Sequence, residues 1–261
     1  ALRAYAGRTG HAANLMWAWR PSMDSLWAAI HTEGDAKARR RSRAPANQVW
    51  THQVRSSLRW IRSFLTASGG QVSRTWPLAA YLSTAADIIL AFDASAWGLG
   101  GVCYIRGIPR FYICEPLGED DYKRFGKRPE DKDHGQQIWE CLAALVVLKV
   151  WRHIWCNGRF TLGMRGDNVT ALTMTMKFKA SSPEVRTIAR EVAHLMTSAP
   201  YMPIIFEHVP GIVNQVADSL SRRYDPSRAE GLTLPSSLAA ATLSSCPPRD
   251  KDFYVMDATS A

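Results

Sequence analysis

Cysteine is scarce in this chain, five among 261 residues, and no two of them form a CxxC pair. That spacing argues against a zinc ribbon and against a disulfide framework. It fits a reducing, intracellular compartment, cytoplasmic or nuclear, rather than secretion. Long apolar runs are missing as well. The longest, Cys141 to Leu148, stops at Lys149, well short of the roughly 18 residues that cross a bilayer, so no membrane partner is expected. The N-terminus shows neither an initiator Met nor a charged-then-apolar leader, a beginning that suits a piece of a longer polyprotein. There is no GxxxxGK[ST] loop, no GxGxxG after a strand, no GxSxG elbow and no HExxH, which removes the commonest nucleotide-binding, serine-hydrolase and zinc-protease readings. Negative charge is scarce in one region only. Residues 1–86 hold 12 Lys/Arg against 3 Asp/Glu, whereas the rest of the chain holds 20 of each. A basic segment beside a neutral one suits a polyanionic partner, because phosphate binding releases counterions; a merely solvated basic surface is the blander alternative.

What is present is enough for a real core, with 46% hydrophobic and 10% aromatic residues. Residues 1–30 read as helical, broken near Pro21. The run Lys37 to Arg43 reads as a charged loop, either solvated or in contact with phosphate. Val49, Val54, Leu58, Ile61 and Leu65 mark an amphipathic helix with Arg55, Arg59 and Arg62 on its polar side. The pattern changes at residue 87. Asp87 to Phe92 is a strand-like run, Gly98, Gly100 and Gly101 mark a turn into Val102–Ile105, and Gly107-Ile108-Pro109 turns into Phe111–Ile113. Residues 115–135 read as a charged surface loop. A long helix follows over Ile138–Trp155, then a strand over Arg159–Gly166, helices over about 168–178 and 183–198, a strand over Pro203–Glu207 and a helix over Val213–Arg222. The order βββ-α-β-α-α-β-α predicts an α/β fold with a five-stranded mixed sheet flanked by helices. Three segments result: a basic helical one (1–86), the α/β domain (87–224), and a Pro/Ser/Ala-rich linker or tail (225–261). The ten tryptophans read as core anchors more than as a base-stacking platform.

Four acidic residues occupy unusual places. Asp93 follows an apolar strand, Glu140 sits early in an apolar helix, Asp167 ends a strand, and Asp218 lies on the last helix between Ala217 and Leu220. One such carboxylate is commonly just a cap. Four together repel one another and are costly to bury unless paired or metal-bound, and no matching set of Lys or Arg stands beside them in sequence. Converging hard oxygen ligands suit Mg²⁺ or Mn²⁺, and two such ions support in-line displacement at a phosphate.

These residues also carry a resemblance. Phe92-Asp93-Ala94-Ser95-Ala96-Trp97-Gly98-Leu99-Gly100-Gly101 resembles the first-strand motif of ribonuclease H domains in retroelement reverse transcriptases. Glu140-Cys141-Leu142-Ala143-Ala144-Leu145 is similar to their helical Glu motif, and Gly166-Asp167-Asn168 to their third acidic motif. The most specific match runs from His208-Val209-Pro210-Gly211 through Asn214 to Ala217-Asp218-Ser219-Leu220-Ser221-Arg222, with His six residues before Asn and ten before Asp. Less specifically, Leu2 to Arg8 with Arg20-Pro21 and Leu26 resembles the thumb or connection segment after the polymerase palm in gypsy-type and DIRS-type elements. Leu232-Thr233-Leu234-Pro235 resembles the sequence that follows the nuclease in DIRS-type elements.

The resemblance implies an RNase H-like fold and a hydrolase that cuts the RNA strand of RNA/DNA hybrids with two Mg²⁺ or Mn²⁺ ions. Asp93, Glu140, Asp167 and Asp218 would be the metal ligands. His208, on a mobile loop, would assist proton transfer or product release, and Ser95, Asn168 and Asn214 would contact the substrate. Asn214 suits equally a residue satisfying backbone groups at the start of the last helix. The partners implied are the hybrid and a polymerase domain in the same polyprotein, since the polymerase Asp-Asp motif is not in this chain. Lys177 and Lys179 around Phe178 are the only basic handle within the domain, or else a solvated helix end. An inactive connection-type module that binds hybrid or scaffolds a polymerase is the alternative, and a DNA-acting nuclease or transposase of the same fold is a third reading.

Overall fold

The computed structural model describes residues 1–31, 44–45, 47–66, 88–131, 135–156, 161–180, 182–197, 204–227 and 234–254, apart from the side chains of Ile204 and Ile205. The run Lys37 to Arg43 lies outside them. Contacts gather the chain into two units, and each draws on more than one of the three expected segments. One unit comprises Ala1–Arg74, Lys177–Thr197 and Tyr254–Ala261; the other comprises Thr75–Met176 and Ser198–Phe253.

The first unit is helical. It contains α1 (Leu2–Ala12), a 3-10 turn (Trp17–Trp19), α2 (Arg20–His31), α3 (Thr51–Leu65) and α8 (Pro183–Thr197). The break expected at Pro21 falls earlier, over 13–16, and Pro21 is in the first turn of α2, where its missing N–H costs nothing. Helix α2 packs against α1, α3 and α8. On α3 the buried face is Val54, Ser57, Trp60, Ile61 and Phe64, while Leu65 is exposed and Val49 precedes the helix. The larger aromatic side chains therefore set the inward face, not the Leu58/Leu65 stripe read from spacing. Arg55, Arg59 and Arg62 are exposed as expected.

The second unit is a mixed six-stranded sheet in the order β5-β4-β1-β2-β3-β6. Its strands are β1 (Ile88–Ala94), β2 (Gly98–Ile105), β3 (Ile108–Pro116), β4 (Leu162–Gly166), β5 (Ile204–His208) and β6 (Thr242–Leu243). β1, β2 and β3 form an antiparallel meander. Arg106 and Gly107 both have positive φ, the backbone of a two-residue hairpin turn matched to strand twist. β1, β4 and β5 run parallel, so their carboxyl ends share one edge. The unit's helices are α4 (Glu119–Phe125), α5 (Gln136–Val150), α6 (Arg152–Trp155), α7 (Val169–Lys177, ending at the unit boundary) and α9 (Gln215–Ser221). The single long helix expected to Trp155 is thus two, separated at Trp151.

Glycines admit the two helices that cover the centre of the sheet. The glycines read as a turn lie within β2. A Cβ on Gly101 would meet Val147 of α5 at 2.5 Å, and one on Gly100 would meet the Ser221 nitrogen of α9 at 2.6 Å. Adjacent strand residues point to opposite faces, so α5 lies on one face and α9 on the other. Helix α5 is buried continuously from Ile138 to Leu148, which marks it as the central helix.

Two expectations fail at the margins. The stretch 115–135, read as loop, contains α4, with Glu119, Asp120 and Asp121 in its first turn and Lys123 and Arg124 in its last, charges that complement the helix dipole. The segment 225–261, read as linker or tail, supplies the sixth strand, which pairs with β3. It also supplies Leu238, which joins Val102, Tyr112, Cys114 and Leu220 in a buried cluster. Arg249 of the same segment forms a buried ion pair with Asp121, Nη2 to Oδ2 at 2.7 Å. Among the nine tryptophans described, five are buried, with Trp60, Trp139 and Trp151 fully so. No helix among the described residues is long and apolar enough to cross a membrane.

Candidate metal centre

The strand register brings the acids together. Ala91 of β1 pairs with Arg165 of parallel β4, so Asp93 and Asp167 stand two residues beyond the same rung. Glu140 is in the second turn of α5, which packs on β1. Asp93, Glu140 and Asp167 each offer a carboxylate oxygen within 4.8 Å of those of the other two. Asp93 and Glu140 are buried, at 3% and 4% exposure, and Asp167 is half-buried. Asp218 is not among the three. It is half-buried on α9, and its Oδ1 accepts a hydrogen bond from Arg222 Nε at 2.6 Å.

The electrostatics are those of acids short of counter-charge, with the Arg222 guanidinium the weakest of the influences on Asp93. Burial pushes the Asp93 carboxyl from its ordinary 3.8 to about 7; a hydrogen bond from Ser221 works against this, and the charges of Asp167 and Asp218 add to it. Burial raises Glu140 well above the usual carboxylate range, with Asp93 next in importance and Asp167 adding to it, while the Gln136 hydrogen bond opposes them.

Neutral neighbours fix the geometry. Gln136 Nε2 donates to the Ala94 carbonyl at 2.6 Å and to Glu140 Oε1 at 2.9 Å. Glu140 Oε2 is buried and has no hydrogen-bond partner. Ser221 Oγ donates to Asp93 Oδ2 at 2.6 Å. The close approach of Gly211 completes the frame: a Cβ there would lie 3.1 Å from Asp167 Oδ2. An orphaned carboxylate oxygen in an all-oxygen donor set fits a hard divalent cation.

The other expected site residues are placed as follows. His208 ends β5 rather than lying on a loop, and its Nε2–H donates to the Asp167 carbonyl at 3.1 Å, with the ring exposed. The register pairing Gly166 with His208 puts it on the same sheet edge as Asp93 and Asp167. Ser95 is buried, donates to the Ser221 carbonyl at 2.7 Å, and accepts the Trp97 and Gly98 N–H groups. Asn168 Oδ1 accepts the Ala171 N–H at the start of α7. Asn214 precedes α9 and is buried, but its Nδ2 donates across to the Phe92 carbonyl of β1 at 3.0 Å. It ties helix to strand and does not cap the helix with its side chain. Phe178 is buried at positive φ against Trp17, while Lys177 and Lys179 are exposed.

Sequence reasoning missed Gln136, Ser221 and Arg222 as site residues. Gln136 is signalled only by spacing, four residues before Glu140, whereas Ser221 and Arg222 close the motif match that runs through Asp218, with Arg222 four residues after it on the same helix face. A scan of the chain against protein-family models finds no match, and searches of the curated proteins and of the solved structures find none either.

Proposed function

We propose that this chain is a metal-dependent nuclease of ribonuclease H type, which hydrolyses the RNA strand of RNA/DNA hybrids as part of retroelement reverse transcription. The observation that carries this reading is the meeting of Asp93, Glu140 and Asp167 within 4.8 Å, with Glu140 Oε2 buried and unpartnered. The strand order β5-β4-β1-β2-β3, with α5 and α9 on opposite faces, supports an RNase H-like fold in which β6 is an addition at the edge.

In this reading Asp93, Glu140 and Asp167 would hold one divalent cation, and Asp218 would help to hold a second. When bound, Mg²⁺ or Mn²⁺ polarises the scissile phosphate and lowers the pKa of an attacking water. The chain's own contribution is positioning. Gln136 orients Glu140, Ser221 orients Asp93, and Arg222 holds Asp218. His208 Nε2–H is engaged with the Asp167 carbonyl, so proton exchange at the rim falls to Nδ1. Ser95 and Asn214 act through the frame: their hydrogen bonds to Ser221 and Phe92 lock the β1–β2 turn and α9 around the acids. The exposed arginines of α3 suit the phosphate backbone of a hybrid, and the polymerase would be a neighbour in the same polyprotein.

The test is cleavage of a labelled RNA strand annealed to DNA, with Mg²⁺, Mn²⁺ or chelator, comparing the wild type with Asp93→Asn. Metal-dependent cutting of the hybrid, lost in the variant and absent on duplex DNA, is the expected result. A folded wild-type chain that binds hybrid without cutting it would replace this reading with a non-catalytic hybrid-binding module. Cutting of duplex DNA would move it to a DNA-acting enzyme.

A further inference from the structure

The metal-dependent reading leaves the cation at the end of α9 to be explained. Arg222 is the C-cap of that helix, and its Nε donates to Asp218 Oδ1 at 2.6 Å. The two side chains are 44% and 36% exposed. Asp218 is the expected ligand that stands outside the group formed by the other three, and it already carries a positive partner. Arg222 also attracts Asp93, so one guanidinium acts on both acids.

We propose that Arg222 is a positioning residue that stands in for a second divalent cation: it holds Asp218 while Asp93, Glu140 and Asp167 take the first ion, and the second ion must displace it. This rests on the metal-dependent reading above.

The physical argument is competition between like charges. A guanidinium paired with Asp218 and a divalent ion seeking the same carboxylate repel each other and share one acceptor. An exposed i,i+4 pair is weak, so the exchange is easy. Arg222 sits at a helix end with its side chain nearly half in solvent, and the guanidinium can swing out without breaking a backbone hydrogen bond of α9. The consequence is ordered loading. The first ion meets three acids on which Arg222 acts only weakly, through Asp93, and the second binds only at higher concentration. Hydrolysis, which needs both, would then follow the second step.

The experiment is a Mn²⁺ titration of the full chain, with free Mn²⁺ counted by electron paramagnetic resonance and heats read by calorimetry. The wild type is expected to bind in two steps. In Arg222→Gln the second Kd should tighten by about three- to tenfold while the first changes little. Arg222→Lys, which keeps the charge and loses the Nε bond, should shift the second step the same way by less. Asp218→Asn should keep the first step and lose the second. A second step that is unchanged or weaker in Arg222→Gln, or in Arg222→Lys should the Gln variant fail to fold, overturns the inference while leaving the metal-dependent reading intact. Absence of any Mn²⁺ binding to the wild type overturns both.

Discussion

Two buried acids in the sheet unit, Asp121 on α4 and Glu140 on α5, are treated in opposite ways. Asp121 is 2% exposed, accepts the Gly118 N–H and receives Arg249 through two nitrogens, Nε at 3.0 Å and Nη2 at 2.7 Å. Glu140 is 4% exposed, is met by the Gln136 amide and the Ala94 backbone but by no cation of its own among the described residues, and faces two further carboxylates within 4.8 Å. The first acid is neutralised by the protein itself and fastens the C-terminal segment to the fold. The second is left short of positive charge, the arrangement that the metal-dependent reading requires. A buried pair is modest evidence of net stability, yet breaking it strands a charge; the uncompensated group is unstable until something binds it.

The sharpest way to separate the two regions is to remove charge from each. Asp93→Asn should lower hybrid cleavage by about a thousandfold, the several kcal/mol that a polarising cation contributes to the transition state. It should leave the metal-free fold as stable as the wild type or more so. Arg249→Ala should do the reverse, costing about 3–5 kcal/mol of stability by stranding Asp121, with equal losses in the presence and absence of divalent ions. Denaturant unfolding with and without Mn²⁺ distinguishes these outcomes. A metal-dependent loss in Arg249→Ala would erase the contrast between the two acids.

Smaller effects sharpen the picture of the frame. Gln136→Ala should weaken the first Mn²⁺ step by roughly 10- to 100-fold, the usual cost of losing a group that orients a ligand, as read by calorimetry. Gly211→Ala places a methyl against Asp167 and should reduce cleavage by only a few-fold, since the 3.1 Å approach is relieved by a shift of a few tenths of an ångström. An unchanged Kd in Gln136→Ala would mean that packing of α5 alone aims Glu140.

Legibility in the sequence followed the same division. The order of β1 to β5 and of the longer helices between and after them is visible because these elements carry apolar runs or repeats, and the acids stand out as charges where an apolar pattern leads the reader to expect none. The frame around them is not visible. Gln136 and Ser221 are ordinary polar residues whose importance comes from the Ala94 carbonyl and from Asp93, contacts made across the fold. Helix α4 was hidden in a stretch so rich in charge that it carries no hydrophobic period, and its anchor, Arg249, lies 128 residues from Asp121. The sixth strand was hidden for a related reason: two residues beside β3, set among Ser and Ala, carry no period of their own. On α3 the inward turn of Phe64 meets Trp19 of the 3-10 turn, a contact that spacing alone does not reveal.

The most direct measurement is thermal unfolding of the wild type and of Glu140→Gln at pH 5 and pH 7.5, each with chelator and with Mn²⁺. The folded protein keeps the Asp93 proton up to about pH 7, whereas an ordinary aspartate releases it near 3.8, so the metal-free fold loses stability as pH rises through that window. The account predicts that the metal-free wild type melts lower at pH 7.5 than at pH 5 and that Mn²⁺ raises its Tm chiefly at pH 7.5. Glu140→Gln should melt above the wild type without metal at pH 7.5 and lose most of the response to Mn²⁺. A wild type indifferent to Mn²⁺ at pH 7.5, or a destabilised Glu140→Gln with its metal response intact, would contradict the account.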